Sequence, residues 1–171
     1  MNRRDFVLSG IALALAACST APTGPSSSVP APAPGRAPSF SLDTPDVANE
    51  IVLYALGLID TGYKFGGSNP EAGLDCSGMV AYIVERVSGR RLPHNAAQIA
   101  SITRSIDRQA LQPADLVFFN TTGQPFSHMG IYLGNGRFVH APSSRGKVRI
   151  ENMDNRYFAA RYTAARSLFI A

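Results

Sequence analysis

Cys76, His128 and His140 are the residues of this chain whose types could share one reaction. Nucleophilic catalysis by sulfur needs a thiolate, a base that shuttles its proton and a third group that orients the base. These three residues fill those roles in that order. Cys76 follows a turn-rich stretch, Gly66-Gly67-Ser68-Asn69-Pro70, and opens an apolar run at helical spacing with Asp75 as its N-cap. A cysteine in the first turn of a helix meets the positive end of the dipole and unpaired N–H groups, which favour thiolate. The plainer alternatives are a small apolar residue packed inside for Cys76, and surface or core imidazoles for the histidines.

The elements that must position these residues follow from periodicity. Thr44-Pro45-Asp46 signals a helix start, with Val47, Ile51, Ala55 and Leu58 on its buried stripe and Gly62 as its stop. Asp75 starts a second helix, with Val80, Val84 and Val87 inward and Gly89 past its end. A short third helix spans Asn95 to Ala100. Beyond it the period changes to that of strands: 116–119, 128–133, 137–141, 147–150 and 162–169, separated by Gly, Pro, Asn and Ser turns. Helices first and antiparallel strands after predict an α+β domain over residues 44–171.

One register test bears on the histidines. If Gly134-Asn135-Gly136 forms a three-residue loop, residue 133 faces 137 and His128 and His140 share a face as diagonal neighbours. A plain two-residue turn at Asn135-Gly136 would put them on opposite faces. Pairing of the histidines therefore predicts an odd-length loop or a bulge.

The formal charge of +4 is spread along the chain without a Lys/Arg block, which argues against nucleic acid as a partner. Met1 to Ala17 reads as an export signal: Arg3 and Arg4, then an apolar segment from Phe6 too short to span a bilayer. Leu15-Ala16-Ala17-Cys18 resembles the lipobox of bacterial lipoproteins, which implies cleavage before Cys18 and a lipid, palmitate included, on its sulfur. Residues 2–8 also resemble a twin-arginine signal, leaving the export route open. Ser19 after the cysteine implies, by the same resemblance, the outer membrane facing the periplasm. Seven of the twelve prolines lie within the first 45 residues, and the stretch from Cys18 to residue 43 reads as a disordered tether. With Cys18 lipidated, Cys76 has no disulfide partner among the two cysteines. A free thiol exported to an oxidising compartment is a liability unless it is used.

Five co-linear motifs carry a resemblance: Tyr63-Lys64-Phe65-Gly66-Gly67, Asp75-Cys76-Ser77-Gly78, residues 111–119, Ser127 to Gly134, and Phe138-Val139-His140-Ala141. Together they resemble the NlpC-type cysteine peptidases of bacterial cell walls, over roughly residues 46–169. The resemblance implies a papain-like α+β fold, with the nucleophile at the start of a helix packed on an antiparallel sheet. It implies hydrolysis of peptide stems or crosslinks of peptidoglycan, without a cofactor or metal, by a monomer. Cys76 matches the nucleophile, His128 the base and His140 the polar residue that orients it. Tyr63 matches a residue that helps hold the oxyanion, and Asp75 and Ser77 match positions lining the pocket for the stem peptide.

Some positions depart from the family pattern. Ala114 stands where glycine is usual, so its turn is expected to avoid positive φ. His94 replaces a common arginine and is read as a rim or structural residue, and Asp115 as a holder of the strand entry. Three other readings compete: a zinc hydrolase, a catalytically silent wall-binding lipoprotein, and an acyltransferase on the same fold. Zinc is disfavoured because no ligands stand at the close spacing of a zinc motif.

Overall fold

A computed structural model of the chain describes residues 40–42, 46–143 and 146–170. The expected signal peptide (1–17), the lipidated Cys18, most of the tether and the Thr44-Pro45 helix start lie outside the described residues.

Helix α1 (Asp46–Gly57) buries Ile51 and Ala55 completely, as its periodicity requires. It ends five residues before Gly62, which instead makes an isolated antiparallel bridge to Lys147. A small ladder of β1 (Ser68–Asn69) and β2 (Gly73–Leu74) leads into α2 (Cys76–Ser88). The Asp75 carboxylate accepts the Gly78 N–H at 2.7 Å, and Gly89 closes the helix at φ 68°, where an L side chain would be strained. Met79, Val80, Ile83 and Val84 are fully buried on its inner face. Helix α3 (Ala96–Ile102) is capped by the Asn95 side chain.

The remaining chain forms a six-stranded antiparallel sheet in the order β3-β8-β4-β5-β6-β7. Its strands are β3 (Arg104–Ile106), β4 (Leu116–Phe119), β5 (His128–Gly134), β6 (Arg137–His140), β7 (Arg149–Asn152) and β8 (Tyr162–Ser167). Side chains alternate across it. Leu116, Phe118, Met129, Ile131 and Val139 join the α1, α2 and α3 side chains in the main core. On the other face Val117, Phe119 and Phe138 pack with Met153 and with Phe158 of the short helix α4 (Arg156–Ala159). The α+β class read from the sequence holds.

Several expectations are corrected. The folded part begins by residue 40 rather than 44: Phe40 and Leu42 are buried, and their N–H groups donate to Ile102 O at 3.0 Å and Leu168 O at 2.7 Å. Phe40 also lies under the Arg90 guanidinium, 4.6 Å from the ring centroid. The strand expected at 147–150 runs from Arg149 to Asn152, because Lys147 is taken by Gly62. Ala114 does adopt positive φ, at 74°. Asp115 N–H donates to Gln112 O across a turn with Pro113 and Ala114 at its centre, and the positive φ at its third position makes the turn type II. Burial of the methyl group and a 2.9 Å bond from Ala114 N–H to Tyr132 O hold the strained conformation.

The β5–β6 hairpin shows how the histidines come to share a face. Its turn is the two-residue Asn135-Gly136 type, with φ of 53° and 70°. A register shift between Tyr132 and Gly134 makes Leu133 the extra residue, so Tyr132 faces Phe138 and Ile131 faces Val139. Of the two expected alternatives, the bulge occurs.

Candidate active site

Cys76 is the first residue of α2, and the chain around it is folded onto the Asp75 carboxylate. Oδ1 of Asp75 accepts from Gly78 N–H (2.7 Å) and Ser77 Oγ (3.1 Å) and pairs with His94 Nε2 (2.8 Å), while Oδ2 accepts from Gly66 N–H (3.0 Å). Asp75 N–H in turn donates to Gly67 O at 2.9 Å. A Cβ on Gly78 would collide with that same Gly67 oxygen, so the two glycine motifs let the loop lie directly against the helix start. His94, read from the sequence as a rim or structural residue, is a partner of this carboxylate, with its side chain 35% exposed. Ser77 is buried here as well.

The backbone N–H groups of Met129, Ser77 and Cys76 itself lie near enough to the sulfur to favour its charged form. The Met129 contact puts the sulfur at the start of β5, one residue from His128. Across the hairpin, His128 Nε2 lies 2.7 Å from His140 Nδ1, with the rings nearly perpendicular. Both imidazoles are buried and bedded against Phe158, with Phe119 beside His128 and Phe138 beside His140. Gly130 stands between them in register, and a Cβ there would lie 2.5 Å from Val139 O and 3.2 Å from His140 Cβ. Only glycine leaves room for the pair.

The 2.7 Å contact needs one proton between two ring nitrogens. If Nδ1 of His128 is free to act as a base, its Nε2 carries hydrogen and donates to His140 Nδ1. The remaining proton of His140 then sits on Nε2, which is buried without a hydrogen-bond partner among the described residues.

Electrostatics reverse one expectation. Burial, and after it the Asp75 charge, push the Cys76 thiol up to about 11, against the lowering effect of the three N–H groups. Part of the residue remains accessible, but enclosure by protein outweighs the helix end. Burial drives His128 down to about 4 despite the opposing Asp75 charge. It drives His140 down to about 3, with His128 and Arg149 adding to the effect. Both shifts run toward the neutral forms, opposite to the thiolate expected from the helix position. Tyr63 borders the same region: burial, then the Asp75 and Cys76 charges, raise its phenol. Its N–H donates to Gly146 O at 2.9 Å.

Asp115 is buried and accepts Gln112 N–H at 2.8 Å, holding the entry to β4. Among the described residues no three His, Cys, Asp or Glu side chains are placed to hold a metal ion, and no helix is long and apolar enough to cross a membrane. The sequence reading missed a cleft of about 430 Å³ bordered by His128, His140, Arg149, Glu151, Asn155 and Phe158. Arg149 and Glu151 share a face of β7 by strand alternation, but only the pairing of β7 with β6 brings that face to the cleft.

The chain is similar to proteins already known. A probable endopeptidase NlpC from Escherichia coli (strain K12) is 40% identical over 109 residues, 63% of this chain and 70% of that protein. The murein DD-endopeptidase MepH of the same organism is 36% identical over 107 residues, 61% of this chain. A gamma-DL-glutamyl hydrolase from Bacillus subtilis (strain 168) is 38% identical over 117 residues, 68% of this chain. The matched regions span only 40% and 28% of these last two proteins. Among solved structures, the NlpC/p60 domain of the peptidoglycan hydrolase SagA superposes with a TM-score of 0.62 at 31% identity, over 70% of this chain and 97% of that one. An NLP/P60 family lipoprotein-like protein from Staphylococcus aureus gives 0.66 at 28% identity, over 78% and 45%. The NlpC/P60 sequence profile itself matches residues 60–167, from the end of α1 through β8 and across every site element described above. On that evidence the chain belongs to the NlpC/P60 family.

Proposed function

We propose that this chain is a cysteine peptidase that hydrolyses peptide stems or crosslinks of peptidoglycan. The observation that carries the reading is the His128–His140 contact of 2.7 Å, at the end of the sheet where Met129 N–H meets the Cys76 sulfur. The family membership and the names of the relatives supply the substrate class.

In this reading His128 Nδ1 takes the thiol proton as the Cys76 sulfur attacks the peptide carbonyl. The oxyanion is held by backbone N–H at the helix start and by Tyr63. As the C–N bond breaks, His128 returns its proton to the leaving amine, and the acyl group remains as a thioester. Water then attacks, giving its proton to His128, and the thiol is restored. His140 holds the His128 tautomer and ring orientation throughout. Asp75 and Ser77, beside the sulfur, take the acyl portion of the stem.

The test is mass spectrometry of muropeptides after incubation with purified protein. Wild type is expected to release stem fragments, and Cys76→Ala to release none. Cleavage by Cys76→Ala at the wild-type rate would sink the reading. The lipid anchor at Cys18 and residence at the outer membrane, facing the periplasm, belong to the same proposal. Cys18→Ala is expected to move the protein from the membrane to the soluble fraction, and continued membrane association would contradict the anchor.

A further inference from the structure

Asp75 stands beside the nucleophile with one counter-charge within reach. His94 Nε2 lies 2.8 Å from Asp75 Oδ1, and among the described residues no lysine or arginine forms an ion pair with that carboxylate. The start of α2 makes room for the ring, since a Cβ on Gly78 would lie 2.8 Å from His94 Nε2. Pro93 precedes His94 and Asn95 after it caps α3, so the backbone on either side is held. The His94 side chain is 35% exposed and that of Asp75 14%. An ionised carboxylate oxygen only accepts, so neutral His94 carries its hydrogen on Nε2. Nδ1 makes no hydrogen bond among the described residues and is free to take a second proton from water. Protonation then adds a charge and leaves the contact in place.

Titratable groups gather round this pair. Cys76 follows Asp75 at the start of α2, Tyr63 comes from the loop before β1, and His128 from the start of β5. Burial is the main cause of the raised Cys76 thiol and the Asp75 charge the next, and the same order holds for Tyr63. On His128 the Asp75 charge acts against burial. An imidazolium 2.8 Å from Oδ1 cancels much of that field at the sulfur, while a neutral imidazole leaves it whole. Of the three histidines, His128 and His140 are buried, and His94 alone is open to water. An imidazole in contact with water is the side chain whose charge changes between about pH 5 and 8. A guanidinium in the same seat would hold its charge at every pH.

Resting on the peptidase reading above, we propose that His94 is a positioning residue with a switchable charge: as imidazolium it cancels the Asp75 charge beside the sulfur, and Cys76 then holds more thiolate than when His94 is neutral. The ring acts through Asp75 and touches no reacting atom. An opposite charge at this range, partly screened by solvent, raises the thiolate fraction about tenfold. The less basic sulfur is also a weaker nucleophile, which leaves a gain of about threefold in rate. The effect runs against the ordinary increase of thiolate with pH, because the Asp75 field returns as His94 loses its proton.

Iodoacetamide alkylation of the full chain, read by mass spectrometry of the Cys76 peptide between pH 5 and 9, tests this. In His94→Arg the charge is always present, and in His94→Gln it is absent while an N–H for Asp75 is kept. Both variants should alkylate about tenfold faster per pH unit throughout, with H94R about threefold ahead of H94Q. Wild type is expected to follow H94R at pH 5 and H94Q at pH 9, with a shallower step between. The midpoint of that step should match the titration of the His94 ring followed by NMR in wild type, a measurement that needs neither variant. A wild-type rate parallel to both variants, or a step away from the His94 titration, overturns the proposal. The kcat/KM for peptide hydrolysis should show the same crossing. Alkylation that crosses over while wild type hydrolyses no peptide would overturn the peptidase reading and leave the role of His94 standing.

Discussion

The Asp75 carboxylate caps the helix that carries Cys76 and also charges its surroundings, and two substitutions separate these roles. Asp75→Ala removes the N-cap, worth about 1–2 kcal/mol. It also removes the partly screened His94 pair, about 0.5–1 kcal/mol, since the two side chains are 35% and 14% exposed. The bonds from Gly66 N–H and Ser77 Oγ add roughly 0.5 kcal/mol each. The expected loss is about 3 kcal/mol, or roughly 10 °C in Tm for a domain of this size. Asp75→Asn keeps an oxygen for Gly78 N–H and Ser77 but loses the charge, and should cost about 1 kcal/mol. Both variants remove the negative charge that raises the thiol, so both should titrate Cys76 below about 11. Urea unfolding gives the stabilities, and the pH dependence of iodoacetamide alkylation gives the thiol midpoint. Asp75→Asn as unstable as Asp75→Ala, or a thiol midpoint unmoved in both, would refute the assignment of two separable roles.

The neutral histidine pair has a consequence for acid stability. Both folded-state values lie below the ordinary 6.5, so the folded protein binds fewer protons than the unfolded chain as pH falls. Stability should therefore be complete above about pH 6.5 and decline toward pH 4, by up to about 1.4 kcal/mol per pH unit for each histidine. Urea midpoints constant between pH 7 and 4.5 would contradict the burial of neutral imidazoles. Gly130→Ala should separate the rings and reduce peptide hydrolysis at least tenfold, because the added Cβ meets Val139 O at 2.5 Å; wild-type turnover in that variant would remove the geometric requirement. Ala114→Gly should change stability by less than about 1 kcal/mol. Relief of left-handed strain, about 1–2 kcal/mol, is offset by the lost methyl burial and the freer unfolded chain. A loss of 2 kcal/mol or more in urea unfolding would show that the turn is not strained.

Local chemistry made much of the site legible. Asp75 followed by an apolar run at helical spacing defines where α2 starts, whatever packs on it, because capping uses only neighbouring residues. Asn135-Gly136 specifies a tight turn through positive φ at both positions. The alternation of β5 and β6 then restricts the histidines to one face or to opposite faces. The motifs around Cys76, His128 and His140 were sufficient to name the family.

Other features depended on contacts between distant segments. Whether the histidines met was decided by the bulge at Leu133, which local sequence leaves open because a one-residue slip costs little until one face is buried. The Cys76 thiol follows enclosure by β5 and the Asp75 loop rather than its place on the helix, since desolvation is a property of everything that surrounds the sulfur. Ala114 accepts positive φ because the β5 backbone holds it there. Arg149 and Glu151 reach the cleft only through the pairing of β7 with β6, a register that no local pattern within 147–152 determines. The sequence by itself determined which residues could react and where their elements begin. Tertiary structure decided their protonation and the cleft beside them, because burial and cross-strand register exist only once remote segments pack.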